Sequence, residues 1–129
     1  MSIQIERSYD IEDEVRLALT SYLTVYCRPL PARFQIPSIL VSQVGGADHD
    51  HIDTFNVVLD SRADNEADAL ETLRNAIGIL RKVTGEQTTP IRHMEVVSSG
   101  SWGADPVRPD LAMCSATLRL IAHLETATI

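Results

Sequence analysis

Asp48-His49-Asp50-His51, followed closely by Asp53, is the place in the sequence where imidazoles and carboxylates crowd together. Such side chains bind divalent metals, and a loop can converge two or three of them. Neighbouring loop residues rarely close a tetrahedron, however, and no distant Cys or His is specified as a further ligand. The reading preferred is therefore a solvated polar loop tip that binds no metal and no other cofactor. A metal-dependent hydrolase using His49 and His51 stands as a rival that metal analysis would settle.

Nucleophilic chemistry finds no better footing. Ser98, Ser99 and Ser101 lie near glycines, but Ser99-Gly100-Ser101-Trp102-Gly103 lacks the serine between two outer glycines that a nucleophile elbow requires. His93 and His123 fall at alternating strand positions, where exposed sheet-face or interface roles outweigh that of a base. Gly45-Gly46 is followed by neither Lys-Ser/Thr nor a helix, so it is no phosphate loop. No catalytic residue is assigned, and the chain is expected not to be an enzyme. Two other residues are candidates for contact with partners. Trp102, the sole tryptophan, reads as sitting in a Gly/Ser/Pro loop, where it either anchors an interface or folds over a sheet edge. Arg108 is expected to pair locally with Asp105 or Asp110, with another subunit as the alternative. The interface candidates are thus His49, Asp50, His51, Trp102 and Arg108.

The elements that would position these residues follow from periodicity. A lead-in over residues 1–9 is expected to fray. Ile11, Val15, Ala18, Leu19, Tyr22, Leu23 and Tyr26 recur at three-and-four spacing, predicting a first helix that opens after Ser8 or Asp10 and stops at Arg28-Pro29. Ser38–Val44 is β-branched and ends at two glycines; Ile52–Asp60 alternates, with Phe55, Val57 and Leu59 on one face. The connection between them is expected to project as a small loop. Asp64 or Asn65 caps a second helix that carries Leu70, Leu73, Ile77 and Leu80 and runs to about Val83, with Gly85 as terminator. Gly78 inside it suggests close packing against the sheet. A strand over Ile91–Ser98, with Met94 and Val96 inward, precedes the loop Ser99–Asp110. The last strand, Leu111–Leu124, alternates a wholly apolar set (Ala112, Cys114, Ala116, Leu118, Leu120, Ala122, Leu124) with a mixed one. The expected fold is one α+β domain over residues 1–129, in the order α-β-β-α-β-β, with two main helices on a four-stranded antiparallel or mixed sheet.

Composition narrows the function classes. The chain has 129 residues, 44% hydrophobic and 22% charged, ordinary for a globular protein with a real core. A formal charge of −7 argues against a surface that neutralises phosphates, though an acidic wall suits DNA that passes without sticking. Of eleven basic residues only Lys82 is a lysine, consistent with codon bias as much as with bidentate contacts. Cys27, expected on the first helix, and Cys114, expected on a strand, form no CxxC and no disulfide framework. Charged residues throughout positions 1–20 speak against a signal peptide, and no apolar run could span a bilayer. A soluble protein made in the cytoplasm is expected.

Several local patterns, in their order, carry a resemblance. They are the amphipathic first helix ending at prolines, Ile39-Leu40-Val41-Ser42-Gln43-Val44-Gly45-Gly46 before an acidic loop, and Asn65-Glu66-Ala67-Asp68-Ala69-Leu70 opening a helix. Ser99-Gly100 with Trp102 and Asp105-Pro106 then leads into a long last strand. From about Asp10 to Leu124 the chain resembles the tail terminator, or tail completion, proteins of long-tailed bacteriophages. The resemblance implies a non-enzymatic virion assembly protein. Its partners would be further copies of itself in a ring, expected to be a hexamer, the tail tube protein, and the head completion or connector protein. DNA would pass through without specific binding, and no membrane would be involved. The location implied is the head-proximal end of the tail, with assembly in the bacterial host cytoplasm. Alternatives are another head-tail connector, neck or minor tail protein, or a small-molecule binding module of ferredoxin-like type, although that fold prefers the order β-α-β-β-α-β.

Overall fold

A computed structural model describes residues 1–49 and 52–129, with the backbone alone for Asp48 and His49. In chain order the elements are β1 (Gln4–Arg7), α1 (Ile11–Leu19), β2 (Val25–Cys27), β3 (Ser38–His49), β4 (Ile52–Ala63), α2 (Glu66–Val83), β5 (Ile91–Ala104), β6 (Ala112–His123) and β7 (Glu125–Thr128). The α+β class holds, but the sheet has five strands instead of four, in the order β2-β3-β4-β6-β5. It is mixed: β2 runs parallel to β3, and every other pairing is antiparallel. A separate ribbon joins β1 to β7, with Gln4 opposite Thr128 and Arg7 opposite Glu125. Part of the lead-in expected to fray is therefore a paired strand.

The first helix is shorter than its periodicity predicts. Asp10 caps it by accepting the backbone N–H of Asp13, and Glu12, Asp13 and Glu14 put negative charge where the helix dipole favours it. Ile11, Val15 and Leu19 are fully buried, one turn apart. The helix ends at Leu19, and the apolar stripe beyond it belongs to other structure. Thr24-Val25-Tyr26 is β-branched and aromatic, which favours strand. The edge of β3 supplies the partner, with Val25 opposite Ile39 and the Ile39 N–H donating to the Thr24 carbonyl at 2.9 Å. Cys27 thus ends a strand, and Tyr22 is left largely exposed in the turn. Glu12 reaches over this edge and accepts from Arg28 Nη2 at 2.6 Å and the Gln43 backbone N–H at 2.9 Å. Burial pushes its carboxyl up, but these two hydrogen bonds and the Arg28 charge hold it below the ordinary carboxylate range.

Both helices pack on one face of the sheet, as the alternation of β4 and β6 requires. Phe55, Val57 and Leu59 point inward with Cys114, Ala116, Leu118, Leu120 and Ala122, all buried in one cluster. Met94 and Val96 pack against its rim, as expected of them. Helix α2 is capped by the Asn65 side chain, which accepts from the Asp68 N–H at 2.8 Å. It buries Ala69, Thr72, Leu73, Ala76, Ile77 and Leu80; Leu70 turns outward. Gly78 also differs from expectation. It is exposed, and a Cβ placed there would meet nothing within 4 Å, so no close approach to the sheet explains it. Among the described residues no strand or helix packs on the sheet's other face. That face is largely polar along its middle, where Val58 lies among Thr54, Asn56, Asp60, Ser115, Thr117 and the Arg119–Glu95 ion pair at 3.1 Å.

Candidate interface residues at the two ends of the sheet

The sheet carries its candidate residues at opposite ends. At one, His49 is paired with Ile52 and Ile52 with His123. At the other, Ser61 is paired with Cys114 and Cys114 with Trp102. Between Ile52 and Ser61 strand β4 spans about 30 Å at the usual strand rise. No single site contains both sets.

At the hairpin end, the projecting loop expected over Ala47–His51 is ladder as far as His49. Pairing continues through Gly46–Phe55, Ala47–Thr54 and Asp48–Asp53 to His49–Ile52. Two glycines permit this. Val44 is an extra residue between the Gln43–Val57 and Gly45–Asn56 pairs, and Gly45 absorbs the distortion at φ 154°. At Gly46 a Cβ would lie 2.3 Å from the Thr54 carbonyl oxygen, so only glycine fits. Asp50 and His51, two of the expected contact residues, lie outside the described residues, and His49 is placed by backbone alone. His123 is exposed and stacks edge-on against Tyr9, their rings 5.6 Å apart. Among the described residues no three His, Cys, Asp or Glu side chains are placed to hold a metal ion.

Asp53 belongs to this end, but not to its polar surface. It shares the parity of Phe55, Val57 and Leu59, so it points inward and is 2% exposed. Neither carboxylate oxygen has a hydrogen-bond partner among the described residues. Burying a polar group unpaired is costly. The signal for its burial was in the sequence: an acid on the apolar face of an alternating strand.

The far end holds a second buried acid with the opposite surroundings. Asp105 is 3% exposed, and its Oδ2 accepts from Arg62 Nε at 2.8 Å. Its Oδ1 accepts the backbone N–H groups of Val107 at 2.8 Å and Arg108 at 3.1 Å, closing a turn. Burial pushes the Asp105 carboxyl up, but the Arg62 hydrogen bond, the two N–H donors and the Arg62 charge together hold it below the usual range. The sequence pattern did not single out Arg62. It sits on the outward side of β4, yet only 7% of it is exposed, because the segments 28–37 and 105–110 fold across it.

Trp102 is on a strand and not in a loop. Strand β5 continues to Ala104, with register shifts at Arg92, Val97 and Gly100, and Trp102 lies opposite Cys114 at 48% exposure. Three irregularities in one edge strand bend it and interrupt its ladder. Arg108 takes the nearer of its two expected partners, pairing with Asp110 through Nη2 at 3.0 Å, with both side chains exposed. His93 is exposed on β5. Neither a scan of protein-family models nor a search of curated proteins found a match to this chain.

Proposed function

We propose that this chain is a structural subunit of a phage tail, of the tail terminator type, that assembles as a ring. The ring caps the head-proximal end of the tail tube, ends its polymerisation and presents the head-joining surface. The observation that carries this reading is the open, one-sided sheet. Its two edges, β2 and β5, have no further strand beside them among the described residues, and the face opposite the helices is largely polar along its middle, with segments 28–37 and 105–110 covering only its Arg62 end.

The edges differ in a way that suits head-to-tail association. Strand β5 offers 14 residues with Val97 and Trp102 half-exposed, whereas β2 offers three. Unequal edges pair heterologously, and a heterologous contact closes into a ring when its rotation permits. The polar face then lines the channel, and the chain's overall acidity lets DNA pass without adhering. No helix is long and apolar enough to cross a membrane. The tail tube protein and the head completion or connector protein are the partners in this reading. The site of action is the virion, after assembly in the host cytoplasm.

Another neck or connector protein is the reading next to it, because a ring with the same inner face would serve there. Adding purified protein to preformed tail tubes and imaging them by electron microscopy separates the two. A terminator caps one end of each tube and stops its growth. Tubes that stay uncapped and keep elongating overturn this assignment.

A further inference from the structure

The fold leaves a small cavity of about 270 Å³ at the Arg62 end of the sheet. Leu30, Phe34 and Leu40 wall one side and Val107 another, with Arg62 and Asp105 at the polar part of the lining. The walls are apolar, and the polar part is a buried ion pair that the fold satisfies on one side only. Both oxygens of Asp105 accept hydrogen bonds. Arg62 Nε donates to Asp105, whereas Nη1 is buried with no acceptor among the described residues.

We propose that this cavity is a docking pocket for a partner polypeptide, taking one apolar side chain together with a neutral main-chain carbonyl oxygen. The apolar walls favour the side chain, and the unused guanidinium donors call for an acceptor. The charge balance selects which acceptor. Asp105 already neutralises Arg62 at 2.8 Å, so a carboxylate would enter as a second anion beside Asp105, against like-charge repulsion in a poorly solvated place. A peptide carbonyl supplies the lone pairs without that charge. Burying a donor unpaired costs free energy that such an acceptor recovers, which gives the pocket preference for peptide over plain hydrocarbon. Val107, 84% exposed at the rim, extends the apolar surface outward. The inference deepens the assembly reading by naming what one contact recognises. It rests on that reading only for the partner's being a protein.

The test uses the full chain and N-acetyl-leucinamide as probe, followed by NMR. At millimolar concentrations the probe should produce saturable shifts at Ala32, Leu40, Val107 and the Arg62 Nε–H. N-acetyl-glycinamide, which lacks the apolar chain, should produce none. The carboxylate 4-methylpentanoate should bind more weakly than the amide. Ala32→Trp, an exposed position on the lining, should fill the pocket and abolish the shifts while leaving the urea midpoint unchanged. Absence of saturable shifts in the wild type overturns the proposal, as does binding that survives Ala32→Trp. Tighter binding of the carboxylate overturns the choice of a neutral acceptor. Because probe binding is read on the subunit itself, the pocket and ring assembly can fail separately.

Discussion

Asp53 and Asp105 are buried to the same degree at opposite ends of one sheet, yet both oxygens of one carboxylate are hydrogen-bonded and, among the described residues, those of the other are not. The difference separates two kinds of buried acid. Asp105 ties β4 to the segment before β6: through Arg62 it fixes a strand, and through two backbone N–H groups it fixes a turn. Asp53 ties nothing together among the described residues. A buried acid therefore says little until its partners are counted.

Breaking the satisfied end should have the largest effect. Asp105→Ala leaves the Arg62 guanidinium buried without a counter-charge and releases the 105–108 turn, so a loss of about 3–5 kcal/mol is expected in urea unfolding. A loss below ~1 kcal/mol would show that the pair is not buried in solution as described. Next in size is the hairpin end, where Gly46→Ala drives a methyl into the Thr54 carbonyl and should cost about 1–3 kcal/mol. Asp53→Leu has the opposite sign: replacing an inward acid that has no hydrogen-bond partner among the described residues by an apolar side chain should stabilise by about 1–2 kcal/mol. Destabilisation instead would place a cationic partner at the hairpin end and erase the contrast with Asp105.

Acid should discriminate the two ends as well. The folded-state pKa of Asp105 lies below its unfolded value, so its contribution is present in full above the unfolded-state value of about 4. It is lost as pH falls through the lower folded-state value. Glu12 contributes with the same sign through Arg28 and Gln43. Urea midpoints of the wild type should thus fall below about pH 4, and Asp105→Asn should flatten that fall without removing it. An unchanged slope in the variant would mean that Asp105 does not contribute. The smallest effect belongs to neither end: Gly78→Ala, on an exposed helix face with open space around it, should stabilise by roughly 0.5–1 kcal/mol. A loss at this position would show that the α2 face is covered in the assembled protein.

The alternation of β4 and β6 made the inner face legible, because Phe55, Val57, Leu59 and the small residues of Leu111–Leu124 obey a period of two that only one burial pattern satisfies. The Asn65 cap and the apolar stripe of α2 were legible for the same local reasons. What stayed hidden was decided by contacts between distant segments. The stripe through Tyr22 and Tyr26 fits a helix by itself, and only the free edge of β3 turns it into strand. Glycines at 45–46 and 100–103 look like turn punctuation, yet they mark bulges and close approach within long strands. Trp102 was found as an exposed aromatic but given the wrong element for that reason. Arg62 and Asp105 are separated by 43 positions, and no local pattern announces that they meet.

If the open sheet is the means by which this chain assembles, its mass in solution must be that of a closed ring. Light scattering across a wide concentration range tests it most directly. A closed species near six times the 14.2 kDa chain mass, persisting on dilution and appearing as rings under the electron microscope, is expected. A single 14.2 kDa species at every concentration would contradict it.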